Sequence, residues 1–182
     1  MTAKVRATVE DLYRVPDNAK AEIIDGEIVL MAPTGDMPAR AGFKIAMSLS
    51  QMESKIPGRA YADNVGYKVI LPNRDTFSPD ASYYVGRPTG MKFLEGAPVF
   101  AVEVRSENDY GPNAEDAIAK KRTDYLAAGT LVVWDVDLRS PDVIKSYDAN
   151  NPDKPKIFRR GDLADAEFAV PGWRIFVDEL FS

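Results

Sequence analysis

Glu103 interrupts the apolar run PVFAVEVRSEND, Pro98 to Asp109. Val99, Phe100, Ala101, Val102 and Val104 read as a strand buried on both faces, where an ionised carboxylate is costly unless its charge is compensated. A second acid, Asp80 in SPDASYYV, opens the strand candidate before it. Taken alone, an Asp after Pro opens a turn more often than a site. At the ends of two adjacent strands, however, Asp80 and Glu103 can hold one ion between them. Alternation along the strand puts Glu103 on one face with Val99, Ala101 and Arg105. In the following helix, at about 100° per residue, Ala114, Ala117, Ile118, Tyr125 and Ala128 form one stripe with Lys121 at its centre. Lys120 points instead with Asp116 and Asp124 to the solvated face. An inward lysine behind a buried glutamate makes one polar cluster, which is either a reactive site or a Glu103–Lys121 ion pair serving only the fold.

Composition narrows the chemistry. The 182 residues include no Cys and no His. Disulfides, thiolate nucleophiles, histidine bases and histidine-ligated zinc are therefore excluded. Catalysis must rest on Asp, Glu, Lys, Arg, Tyr, Ser or Thr, and carboxylates with Mg²⁺ or Mn²⁺ become the leading option. Net charge is −5 and the pI near 4.9, so nucleic acid feels no bulk attraction and any binding needs local cations or a metal. The N-terminal MTAKVRATVEDLYRV is too polar for a secretory signal, and no 18-residue apolar run predicts a membrane span. A cytoplasmic protein with no membrane partner is expected.

The elements that must position these residues are legible in outline. Thr8 can cap a short helix over TVEDLYRV. AEIIDGEIVLM predicts a hairpin around Asp25-Gly26. MPARAGFKIAMSLSQMESKI predicts a helix with Pro38 near its start and Ile45, Leu49, Met52 and Ile56 on one face, ended by PGR. GYKVIL and DASYYV are strand candidates across the turn-rich PNRDTFSP. Asn113 can cap the helix through AEDAIAKKRTDYLAA, which Gly129 stops. TLVVWDVD and VIKSYD pair across LRSPD, and the tail mixes short strands with a last turn of helix. The order strand–helix–strand around Glu103 predicts one α/β domain over residues 1–182 with some parallel pairing.

The pieces together resemble a family. An acid in "PD", a glutamate in the strand VEVRS and a nearby lysine are similar to the PD-(D/E)XK nuclease superfamily. The stretches AEIIDGEIVLMAP, SPDASYYV, PVFAVEVRSEND, KRTDYLAAGTLVVWDVD and VPGWRIFVDELF resemble, in order, the restriction endonuclease family of the Uma-two type. That resemblance implies a restriction-endonuclease-like domain: a mixed central β-sheet flanked by helices, with an added N-terminal hairpin and C-terminal strands. It implies Asp80, Glu103 and the backbone carbonyl of Val104 as Mg²⁺ or Mn²⁺ ligands, with Glu22 extending the set or serving as an ordinary hairpin charge. The superfamily's simplest pattern has a lysine two residues after the glutamate, where this chain has Arg105. The family supplies its lysine from the next helix, four residues before an aromatic, which is Lys121 before Tyr125. The family's His at the start of its second helix has no counterpart here, Arg40 standing near that place.

The implied activity is a nuclease, an endonuclease hydrolysing phosphodiester bonds in nucleic acid, with DNA ahead of RNA. Asp80, Glu103, Lys121 and Arg105 are its candidate catalytic residues. Lys44, Lys55, Arg59 and Lys68 are candidate phosphate contacts, and a homodimer would help engage both strands of a duplex. Two other readings stand beside it. One is a catalytically inactive binding or assembly module stabilised by the Glu103–Lys121 pair. The other is a glycosidase using Asp80 and Glu103. Trp134 and Trp173 read as core rather than as a sugar platform.

Overall fold

Residues 5–16 and 19–182 are described by the computed structural model. Helix α1 (Val9–Leu12) starts from Thr8, whose N–H and hydroxyl both donate to the Asp11 carboxylate at 2.8 Å. Asp25 and Gly26 take φ of 51° and 77°, the two left-handed conformations of a tight hairpin turn. Strand β1 (Ala21–Ile24) therefore folds back directly on β2 (Glu27–Leu30). Helix α2 (Asp36–Ser50) buries Ala41, Ile45, Ala46 and Leu49. It ends before the expected PGR, and Met52 and Ile56 continue its apolar stripe from the turns that follow.

Six strands form the central sheet. In chain order they are β3 (Arg59–Ala62), β6 (Ala81–Tyr84), β8 (Phe100–Val104), β9 (Val132–Val136), β10 (Ile144–Asp148) and β11 (Asn151–Phe158). Spatially they run β11-β10-β9-β8-β6-β3, antiparallel except for the β8–β9 pair. A parallel pair needs a long crossover, and helix α3 (Pro112–Ala127) supplies it. A small sheet of β4 (Tyr67–Lys68), β5 (Thr76–Phe77) and β7 (Leu94–Glu95) lies beside it. Strands β12 (Leu163–Asp165) and β13 (Arg174–Phe176) pair near the end, before a 3-10 helix, Val177–Phe181. The mixed sheet, the flanking helices, the N-terminal hairpin and the C-terminal strands are all as expected. Among the described residues no helix is long and apolar enough to cross a membrane.

Side-chain alternation splits the core in two. Phe100, Val102, Val104, Val132, Trp134 and Val136 face α2 and the C-terminal elements, where Trp134 and Trp173 lie 5.3 Å apart as core residues. Ala101 and Val133 face the other way, toward Tyr125 of α3 and Phe77, whose rings stack at 3.9 Å. By the same alternation Glu103 and Arg105 belong to the α3 face.

Three local expectations are corrected. Helix α3 starts at Pro112 after Gly111, not from an Asn113 cap, because proline's fixed φ suits a first turn. Ala117 is exposed, since the first half of its stripe faces open space rather than core. Asp124 is buried rather than solvated, held by residues of the 73–74 loop. That loop and β5 come from PNRDTFSP, which reads as turn throughout. Its backbone bridges Ile24 to Arg74, and packing on the hairpin orders it.

Candidate active site

The register Ala81↔Val102 sets Asp80, just before β6, against the end of β8 that carries Glu103 and Val104. Asp80 Oδ2 accepts the Val104 N–H at 2.7 Å. Its other oxygen, Oδ1, lies 3.3 Å from Lys20 Nζ, which also meets Asp63 at 2.5 Å. Helix α2 passes close behind: a Cβ at Gly42 would lie 3.3 Å from the Asp80 carbonyl oxygen.

Lys121 reaches Glu103 from α3. Its ammonium lies 2.9 Å from Glu103 Oε2 and 3.0 Å from Glu22 Oε1. Tyr125, one turn further along, donates its hydroxyl to Glu103 Oε1 at 2.7 Å. Glu22 is sealed from solvent, with Oε2 on Arg74 Nη1 at 2.5 Å and Oε1 accepting the Ser78 N–H at 2.9 Å. Arg74 Nε in turn donates to Asp124 at 2.9 Å, and Asn73 donates to the same carboxylate. The result is a continuous chain, Asp124–Arg74–Glu22–Lys121–Glu103, buried at its Asp124, Arg74 and Glu22 end and open to solvent at Lys121 and Glu103.

Arg105 shares the sheet face with Glu103 but turns away from it. Its Nε and Nη2 each donate to Asp135 at 2.7 Å, and Nη1 and Nη2 also donate to Glu115. Four of its N–H donors are thus committed, and the residue is buried. Asp135 is the register partner of Glu103 on β9.

The three central side chains are recessed yet reachable: Asp80 is 19 %, Glu103 24 % and Lys121 18 % exposed. They lie on the floor of a cleft of about 700 Å³. Its walls are drawn from the β1–β2 hairpin and residues 31–35, and from residues 106–109 and the first half of α3. Neither Lys44, Lys55, Arg59 nor Lys68 lines it, and Arg40 sits elsewhere, donating to the Ser182 carbonyl at 3.2 Å.

Electrostatics distinguish the two glutamates. Burial pushes the Glu103 carboxyl up to about 7. Lys121 opposes this, while Asp80 and Glu22 add to it by like-charge repulsion. Burial also raises Glu22, but Lys121 and Arg74 outweigh it and hold that carboxyl below its ordinary value. Lys121 is disfavoured by burial, yet Glu103 and Glu22 together hold its ammonium above the usual lysine range. It is a cation at neutral pH. The donor set is hard oxygen, which suits Mg²⁺ or Mn²⁺ in kind. Among the described residues no three acidic side chains gather as a metal-binding group, so backbone oxygen would have to complete a set built on Asp80 and Glu103.

Sequence patterns point to Asp80, Glu103 and Lys121 but not to Lys20, Asp63, Arg74, Asp124 or Asp135. Lys20 and Arg74 lie outside any periodic segment. Asp124 carried a usable signal: three residues beyond Lys121, it falls about 60° from it around the helix.

The solved structures include a match over 96 % of this chain and 97 % of the other, with a TM-score of 0.75 at 15 % identity. It is titled a "putative nuclease belonging to DUF820 from Anabaena variabilis ATCC 29413", and at that identity the likeness is one of fold. No curated protein sequence matches. The sequence model of the Uma2 family, described as "Putative restriction endonuclease", matches residues 8–178, and the chain belongs to that family.

Proposed function

We propose that this protein is a metal-dependent endonuclease hydrolysing phosphodiester bonds in DNA, with its reaction centre between Asp80, Glu103 and Lys121. The observation that carries the reading is the convergence of two carboxylates from adjacent strands with a recessed, protonated lysine in the lining of an open cleft. Asp80, Glu103 and the Val104 carbonyl would hold Mg²⁺ or Mn²⁺. A strand residue's N–H and C=O leave from the same edge, so the Val104 N–H on Asp80 turns the carbonyl to that side as well. When bound, the ion would lower the pKa of a water and draw charge from the phosphate oxygens.

The chain's own residues do the rest. Lys121 presents a fixed positive charge where negative charge grows on the phosphate in the transition state. Glu22 is a support for that lysine rather than an ion ligand, because it is sealed from solvent between Lys121, Arg74 and the Ser78 N–H, whereas Asp80 and Glu103 open to the cleft. Tyr125 fixes the rotamer of Glu103. Arg105, always cationic and bound to Asp135 and Glu115, anchors the end of β8 and takes no proton.

Calorimetric titration with Mn²⁺ tests the reading. Wild type is expected to bind one ion in the site, and Asp80→Ala and Glu103→Ala to lose at least about tenfold in affinity each, since loss of even a hydrogen-bond partner of a ligand costs that much. Unchanged affinity in both variants removes the site.

A second reading, a non-catalytic module with a structural charge cluster, draws on one observation: Lys121 is already neutralised by two carboxylates. It requires stability that is indifferent to divalent ions, and a large coupling between Glu103→Ala and Lys121→Ala in a double-mutant cycle.

A further inference from the structure

The walls of the cleft say what form of DNA it takes. A protein that engages a duplex lines its contact surface with Arg, Lys, Asn and Gln aimed at phosphates and base edges. Here the hairpin wall presents Val29, Leu30 and Met31, and the α3 wall presents Ala114, Ala117 and Ile118, with Asn64 and Asn108 as the amide side chains of the lining. Val29 and Leu30 are substantially solvent-exposed on β2, so apolar surface is held open toward the cleft. The cations that line it are Lys20, Arg74, Arg105 and Lys121, and each is already paired with at least one carboxylate. Asp63 and Glu107 are likewise paired, with Lys20 and Arg139, and Asp109 holds the Ser106 N–H and hydroxyl, but the acids of the lining outnumber its cations seven to four. Among the described residues no unpaired lining cation is left to meet a second row of phosphates.

Apolar walls above a recessed ionic floor suit unpaired nucleotides. Their bases offer apolar faces that pack against side chains, and one phosphate can descend between them. A duplex hides those faces in its stack and presents two phosphate rows to an acidic rim. The cleft, at about 700 Å³, lies within the range of sites that enclose a ligand of a few rings. We infer that the substrate is DNA in unpaired form, a single strand or a locally opened segment, with a base against Leu30 and Ile118 and its phosphate at Asp80 and Glu103. This rests on the nuclease reading above.

The experiment is fluorescence anisotropy of a labelled DNA oligonucleotide, free and annealed to its complement as a blunt duplex. Wild-type protein is used with Ca²⁺, to support binding without turnover. The single strand is expected to bind about tenfold more tightly than the duplex, and Leu30→Ser/Ile118→Ser to weaken single-strand binding by about fivefold, the low end of what a base-packing contact contributes, since these side chains are aliphatic. Equal or tighter binding of the duplex overturns the inference. So does failure of both forms to bind, or single-strand affinity unchanged by the double substitution. Mn²⁺ calorimetry on the same wild-type sample separates the two levels. Protein that takes no ion sinks the hydrolase itself, whereas protein that takes the ion but prefers the duplex sinks only the choice of strand.

Discussion

Glu103 carries the sharpest consequence at the level of one side chain. Its carboxyl titrates near 7 instead of 4.5 because burial outweighs the attraction of Lys121. A carboxyl raised on folding contributes stability that is complete below the unfolded value and is lost as pH climbs through the folded one. Between about pH 4.5 and 7 the wild type should therefore lose stability from this residue, by up to about 3 kcal/mol on the linkage scale. Glu103→Gln, which imitates the neutral acid, has nothing to lose there. In EDTA its thermal midpoint is expected to gain on wild type between pH 5 and pH 8; a constant difference across that window would refute the assignment. The residues that imposed this charge state were unevenly legible. Glu103 and Lys121 stand out because each violates a strong period, one in a strand and one in a helix. Arg74 violates nothing, being a charged residue in a charged loop, and only the fold-back onto the hairpin buries it.

Among the elements, α2 comes close at Gly42 to Asp80, the residue just before β6. A glycine inside a helix ordinarily gains about 1 kcal/mol on replacement by alanine. Here the new methyl would press on the Asp80 carbonyl oxygen at 3.3 Å, a backbone atom with little room to retreat. Gly42→Ala should fail to gain that stability and should weaken Mn²⁺ binding by displacing Asp80. Urea unfolding and calorimetry on one preparation measure both, and a variant stabilised by the full amount with intact Mn²⁺ affinity would show the contact to be loose. The principal elements were legible because hairpin turn, strand alternation and helical stripe are all local signals. Strand β11 was not. Pro152 and Pro155 argue against a strand, and only its place at the sheet edge, with a register shift between Ser146 and Asp148, lets them stay.

For the molecule as a whole, net charge governs encounter. At −5, it has no long-range pull on DNA. Binding should therefore need a divalent ion and depend weakly on salt, with a log–log slope of about −1 to −2, since few phosphates are neutralised by side chains. Titrations over a range of KCl measure the slope. Persistent binding in EDTA, or a slope as steep as that of a basic-groove protein, would mean that another surface does the work.

The prolines of β11 bear on the molecule's life in a crowded solution. The strand leaves its outer row of amides bare over Asn151–Phe158, where a neighbour could dock strand to strand and seed a fibril. Pro152 and Pro155 delete two donors from that row, and Lys154 and Lys156 put charge beside it. Pro152→Val/Pro155→Val should still fold but scatter light on concentrated storage while wild type stays clear, because two imino acids are what keep the sheet from growing.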